Sequence, residues 1–170
     1  MENLKDLYLE LAKKINDAIP DVEYIDLWHN QVNFLEQEAP FPTPAVFLEF
    51  RATGVQDSSL KVQHLTMQVN VYLFYETFLD TDYNAYNHEG SVNFLDTLTE
   101  LHKLLHGTSG ENYSEMRRLG FSPVDTGSAQ NLYQMPFNCL VTDISAFEES
   151  DDVVDDDGDG ENEFQPYEVD

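Results

Sequence analysis

Residues 60–78, LKVQHLTMQVNVYLFYETF, are the feature that most constrains the fold. From Leu65 to Tyr75 every odd position is apolar or aromatic, and polar side chains fill three of the even positions. A period of two is typical of a β-strand with one buried face and one wetter face. No Gly or Pro interrupts the stretch. We therefore predict one very long strand over 60–78, which either bends at a bulge or projects at one end as an arm that pairs with another chain.

Two amphipathic helices are predicted to pack on the sheet that contains this strand. Over 3–19, apolar side chains recur at spacings of three and four, and Pro20 ends the pattern. A second leucine-rich stripe predicts a helix over about 88–106. Gly107 follows this helix and suits the left-handed cap position at a helix C-terminus.

The remaining strands predict a sheet that is mainly antiparallel. Residues 45–52 alternate as a second strand, and the turn formers at 53–59 join it to the long strand in a hairpin. Further strands are predicted over 22–28, 116–124 and 133–145. Because Pro136 lacks an N–H donor, we expect the last of these to lie at an edge or beside a bulge there. The fold class is therefore α+β.

Charge divides the 170 residues into a domain over 1–147 and a tail over 148–170. The chain has a net charge of −25, and the tail alone holds 12 of its 33 acids and none of its 8 Lys and Arg residues. Such a segment buries too little apolar area to fold alone, so we predict a disordered tail. The candidate docking motif within it is Phe164, Tyr167 and Val169. The acidic balance excludes a general affinity for nucleic acid backbones.

The sequence predicts a protein that is neither exported nor embedded in a membrane. No apolar run reaches about 18 residues, and charges at Glu2, Lys5 and Asp6 stand where a signal peptide needs an apolar stretch. The single cysteine, Cys139, excludes an intrachain disulfide.

No pattern in the chain indicates catalysis, a metal or a cofactor. His102 and His106 have a chelating spacing on a helix, but no third ligand accompanies them, so boundary histidines explain them better. Residues 155–160 match the first half of a calcium loop, which then fails because Pro166 stands where a bidentate Glu is needed. Cys139 lies on an apolar strand face, as a packing residue does. The protein is therefore predicted not to be an enzyme.

Candidate contacts with other subunits come from apolar and aromatic residues in connecting segments. The proline-bearing loop at 29–44 carries three large apolar side chains, which either fold back onto the core or dock a partner. Leu104 falls off the buried stripe of the second helix. The candidate interface residues are Phe34, Leu35, Phe41, Phe74, Phe78, Tyr83, Tyr86 and Leu104.

The order of elements resembles that of a known family. The motif V-N-V-Y at Val69–Tyr72, the following helix that ends at His106-Gly107, and the closing strand ending in MPFNCLVTDI resemble the tail terminator (tail completion) proteins of long-tailed bacteriophages. The resemblance covers roughly residues 3–146. The loop at 29–44 and the acidic tail depart from the family pattern.

The resemblance implies a virion structural protein of the phage tail. Its copies would form a ring, a homohexamer in most members, that caps the tail tube, stops its polymerisation and joins it to the neck. The implied partners are other copies of the chain, the tail tube protein and a neck or head–tail connector protein, with DNA only as passing cargo. The implied location is the head-proximal end of the tail, reached from the host cytoplasm during assembly.

Two other classes of function stay open from the sequence. One is a different head–tail connector, neck or head-completion protein of similar topology. The other is an acidic DNA mimic, which inhibits a DNA-binding enzyme by presenting carboxylates in place of phosphates. Such a mimic predicts acids spaced over a folded surface, whereas the densest acids of this chain lie in its tail.

Overall fold

The computed structural model describes residues 4–34, 41–76, 81–86, 88–126 and 131–146. The helices are α1 (Leu4–Ala18), α2 (His88–Ser91) and α3 (Phe94–Leu105), and a short 3-10 helix spans Gln31–Phe34. The strands are β1 (Tyr24–Leu27), β2 (Ala45–Ser59), β3 (Val62–Tyr75), β4 (Ser114–Arg118), β5 (Ser122–Pro123) and β6 (Asn131–Asp143). The predicted α+β class is confirmed.

The strands form one sheet in the order β1-β2-β3-β6-β4, and β5 pairs with β6 beside β4. Every pairing is antiparallel except that of β1 with β2, which is parallel. The prediction of a mainly antiparallel sheet is therefore confirmed. The strand β3 lies at the centre and pairs with β2 on one side and β6 on the other along almost its whole length.

The prediction of one exceptionally long strand is not confirmed. The strand β3 has 14 residues, but β2 has 15 and β6 has 13, and residues 77–80 lie outside the described residues. The predicted turn at 53–59 is wrong, because these residues continue β2 with register shifts at Ala52/Gly54 and Asp57/Ser59. The hairpin turns instead at Leu60 and Lys61. Bulges accommodate the turn-forming residues within the strand.

The main core lies between one face of the sheet and two helices. The odd residues of β3 from Leu65 to Leu73 point into it, as the period-two pattern predicted. Leu7, Leu11 and Ile15 of α1 join this core, together with Phe94, Leu98, Leu101 and Leu105 of α3. The helix predicted over about 88–106 is divided, because residues 92–93 separate α2 from α3. Gly107 has a φ of +76°, which confirms the predicted left-handed cap.

Pro136 lies in β6, which has neighbours on both sides, at a position where β4 and β5 leave a gap. The strand is not an edge strand, but the proline faces a local break in the pairing, in keeping with the expectation of an edge or a bulge there. Pro136 pairs with Asn70 of β3 on one side of β6. On the other side it faces the break between β4 and β5, where its carbonyl accepts a hydrogen bond from the Leu119 N–H at 2.8 Å. The missing donor of proline is tolerated because no strand faces it there.

The loop between α3 and β4 is fixed to α1 by one carboxylate. Glu10 accepts hydrogen bonds from the backbone N–H groups of Glu111 and Asn112 at 2.8 and 2.9 Å and from the Asn112 side-chain amide at 2.9 Å. One turn further along α1, Lys14 Nζ donates to the Tyr113 hydroxyl at 2.8 Å. These charge-assisted bonds join segments that are about 100 positions apart in the chain.

We expect Gly110→Ala to break this attachment, because the new Cβ would lie 1.7 Å from Glu10 Oε1 and 2.7 Å from a ring carbon of Tyr113. The carboxylate must move away, so the free energy of unfolding should fall by about 1–3 kcal/mol in urea denaturation. Glu10→Ala should have a similar effect. Gly120→Ala is the matched control, since nothing lies within 4 Å of its Cβ position. An unchanged stability of Gly110→Ala would contradict this account.

Cys139 lies in the main core, and burial raises the pKa of its thiol to about 12. At pH 8 its thiolate population is therefore roughly a thousandfold below that of a free cysteine. We predict that a thiol reagent labels the native protein only as fast as the chain unfolds, and labels it at once in denaturant. Rapid labelling of the native chain, measured by absorbance, would show that the thiol reaches solvent without unfolding.

Candidate functional site

The candidate functional site is the outer edge of β2, which β1 covers only in part. The four residues of β1 pair with Ala45–Leu48, and the Trp28 N–H then donates to the Leu48 carbonyl at 2.9 Å. From Glu49 to Ser59, β2 pairs only with β3 among the described residues. An edge of eleven residues is left without a strand neighbour.

Backbone direction shows which groups this edge presents. The carbonyls of Pro44 and Leu48 accept bonds from the β1 side, so even-numbered residues of this part of β2 turn their backbone groups outward. The same alternation turns the N–H and C=O groups of Phe50 and Ala52 away from β3. Unpaired groups in a row are a template for another strand.

This edge is only partly protected, since two register shifts and three charges are the devices along it that blunt an edge. It contains no proline, and its charges are Glu49, Arg51 and Asp57. Val55 is more than half exposed, and Leu60 at the hairpin tip is fully exposed. An edge strand that is long, paired on one side only and carries exposed apolar side chains is a site for strand addition from another chain.

On the sheet face opposite α1 and α3, a polar network joins β2 to β3 where the free edge begins. Glu49 Oε2 accepts hydrogen bonds from the Tyr72 hydroxyl and the Asn70 amide, both at 2.8 Å. Gln134 of β6 donates to the Tyr72 hydroxyl at 3.0 Å. Burial, with the hydrogen bond to Glu49, raises the pKa of Tyr72 well above its usual value, so the hydroxyl stays a donor at neutral pH. These hydrogen bonds join β2, β3 and β6 and so hold the start of the free edge in a fixed position.

An aromatic cluster covers the adjoining part of the same face. The indole of Trp28 stacks on the Tyr72 ring with centroids 4.1 Å apart. Phe41 from the loop at 29–44 stacks on Tyr24 and lies edge-on to Phe47 and Phe74. For Phe41, the structure therefore shows the alternative in which the loop folds back onto the core.

The other predicted interface residues have different environments. Phe74 is buried in the aromatic cluster, so its ring does not reach the surface. Leu104 is partly buried and packs against the main core. Tyr83 and Tyr86 are highly exposed, so an interface role for them stays a prediction. The structure does not describe the side chain of Phe34. The other candidates that lie outside the described residues are Leu35, Phe78, Phe164, Tyr167 and Val169.

His102 of α3 and His106, the residue that follows this helix, lie side by side with ring centroids 4.9 Å apart. The Nδ1 atom of His106 accepts a hydrogen bond from the Arg118 N–H at 3.0 Å, so this ring fixes β4 to the helix end. Burial lowers the pKa of His102, and the charges of Arg118 and His106 lower it further. Across the described ranges, no three His, Cys, Asp or Glu side chains converge on a point that could hold a metal.

No known family model matches this chain, and a search of curated proteins found no match. In the part of the chain that the structure describes, no helix has the length and apolar character needed to cross a bilayer. The free edge of β2 and the polar network that supports it are the features of the described residues that bear on function.

Sequence reasoning missed the free edge because it ended β2 at residue 52. The residues TGVQDSS at 53–59 favour turns locally, but in the sheet they pair with β3 through two register shifts. The sequence contained one signal, since the strand predicted over 45–52 is much shorter than its predicted hairpin partner over 60–78.

We predict that proline is tolerated at position 52 and harmful at position 51. The Ala52 N–H points away from β3, whereas Arg51 pairs with Gln68 and its N–H faces β3. Ala52→Pro should therefore keep a melting temperature near that of the native chain, while Arg51→Pro loses at least about 2 kcal/mol. Arg51→Ala is the control, which measures the effect on stability of losing the arginine side chain without a proline. Equal destabilisation by the two prolines would show that the edge is not free.

Proposed function

We propose that the protein is a phage tail terminator, a virion structural protein whose copies form a ring on the end of the tail tube. The observation that carries this proposal is the free edge at Glu49–Ser59, which offers eleven residues of backbone for pairing with a neighbouring copy. The element order that resembles this family adds support. The ring is proposed as a homohexamer.

In a ring, a contact through this edge is heterologous, since the edge of one copy meets a different surface of the next. Heterologous contacts make a ring when the rotation between copies closes, and a filament when it does not. A terminator needs the closed form, because it must stop the growth of a tube. The rigid support of the edge by Glu49 and Tyr72 fixes the angle at which a second copy is added.

The charge of the chain is compatible with a conduit for DNA. Residues 1–147 carry 21 acids against 8 Lys and Arg residues, a net charge of −13. A wall of like charge repels phosphate and so does not retain passing DNA. We propose the tail tube protein and a neck or connector protein as the other partners, and the head-proximal end of the tail as the location.

Ring assembly can be tested with the edge variant. The purified full chain should form a closed oligomer of about six copies, and Ala52→Pro should leave a folded monomer because the outward donor is removed. Light scattering after gel filtration measures the mass, and circular dichroism checks the fold. Ala52→Ser, which keeps the N–H, is the control and should still assemble. A ring that forms equally well from Ala52→Pro would exclude this edge as the contact.

Position in a particle is tested by imaging. A tagged full chain recovered from its native lysate should carry tube ends with caps, or six-fold rings, in negative stain. A head or neck particle without tube would favour the other connector class. A soluble complex with one DNA-binding enzyme, released by added DNA, would overturn the structural role and favour the DNA mimic.

A further inference from the structure

An apolar groove lies between α3 and the segment that follows β4. Its volume is about 380 Å³, and its lining includes Leu95, Leu98, His102, Arg118, Phe121 and Met135. Leu98 and Met135 are buried and form the floor. Leu95 is 44% exposed and Phe121 is 60% exposed, so the walls of the groove present apolar surface to solvent.

Positive charge borders this apolar surface. The guanidinium of Arg118 lies 5.7 Å from the centre of the Phe121 ring, and no carboxylate of the described residues forms a salt bridge with it. In a chain with 33 acids and only 8 Lys and Arg residues, a guanidinium that has no salt bridge among the described residues and borders an apolar groove indicates an acidic occupant.

The C-terminal segment of the chain has the matching chemistry. Residues 161–170, ENEFQPYEVD, place Phe164 and Tyr167 among four acids with no Lys or Arg. An aromatic ring suits a groove whose floor is Leu98 and Met135, and flanking carboxylates suit the guanidinium at its rim. Apolar and electrostatic complementarity therefore favour the same segment.

The chain is long enough to reach the groove of its own domain. Residues 147–163 separate the last described residue, Ala146, from Phe164. Seventeen residues span up to about 60 Å when extended. A compact domain of this size is about 40 Å across. The tether therefore reaches most of the domain surface.

We propose that residues 161–170 bind in this groove of their own chain, with the Phe164 ring on the apolar floor and the adjacent acids beside Arg118. This site is separate from the β2 edge and does not depend on the ring proposal. A bound segment covers the exposed parts of Leu95 and Phe121 and places its four acids beside the groove.

The test is photo-crosslinking in the full chain, with Phe164 replaced by p-benzoylphenylalanine. After irradiation at a dilution where the chain is monomeric, peptide mass spectrometry should find cross-links concentrated in residues 95–102 and 118–121. Cross-linking should fall at least fivefold in 0.5 M salt, because charge attraction is screened. The same label in place of Asp152 should give scattered cross-links.

Two matched pairs of variants make the test specific. Arg118→Ala and Phe121→Ala should each reduce the groove cross-links at least fivefold. Arg117→Ala and Leu119→Ala should not, since both are exposed neighbours that do not line the groove. Methyl NMR of the full chain gives an independent readout, in which Phe164→Ala should shift the Leu95, Leu98 and Met135 signals and leave Leu27 unchanged.

Three results would overturn the proposal. Cross-links spread evenly over the domain would show that the segment has no preferred site. Cross-links that join two isotopically distinguished chains would show that it binds another copy. Groove cross-links that persist in both Arg118→Ala and Phe121→Ala would show that these side chains do not hold the segment.

Discussion

The structure depends on the alternation of side chains along β3, which supplies two different cores from one strand. Its odd residues pack against α1 and α3, and Tyr72 and Phe74 enter the aromatic cluster on the opposite face. Because β2 and β6 pair with it on both sides, the same alternation fixes the faces of three strands at once. A slip of one residue would exchange the two cores.

The unequal lengths of neighbouring strands give the sheet its free edge. The strand β1 ends at Leu27, while β2 continues to Ser59. The outer edge of β2 therefore pairs with β1 over its first residues and has no strand neighbour beyond them among the described residues. The aromatic cluster occupies the closed end and the polar network begins where the cover stops. Natural sheets usually cover such an edge or keep it short, so a long edge without a strand neighbour among the described residues is the feature from which a contact with another chain is proposed.

The sequence predicted the features that depend on local periodicity. The strand face of β3, the buried stripe of α3 and the cap at Gly107 each follow from the residue types at fixed spacing. Features that depend on distant partners were not predictable. Thr53 is the extra residue of a bulge only because Ala52 and Gly54 pair with the consecutive residues Met67 and Thr66. Pro136 is tolerated inside the sheet only because β4 and β5 leave a gap beside it. The free edge is likewise a difference between two strand lengths, which no single stretch of sequence contains.

The attachment of α1 to the loop before β4 has a consequence for synthesis on the ribosome. Glu10 and Lys14 are made early, but their partners at residues 111–113 are among the later parts of the domain. The strand β6, which completes the pairing of β3, is made later still. The first helix can pack on the β2–β3 hairpin early, but it gains these hydrogen bonds only after most of the domain has been made. During that interval the part of the hairpin that α3 covers in the native chain leaves apolar surface exposed, which is the condition that favours aggregation.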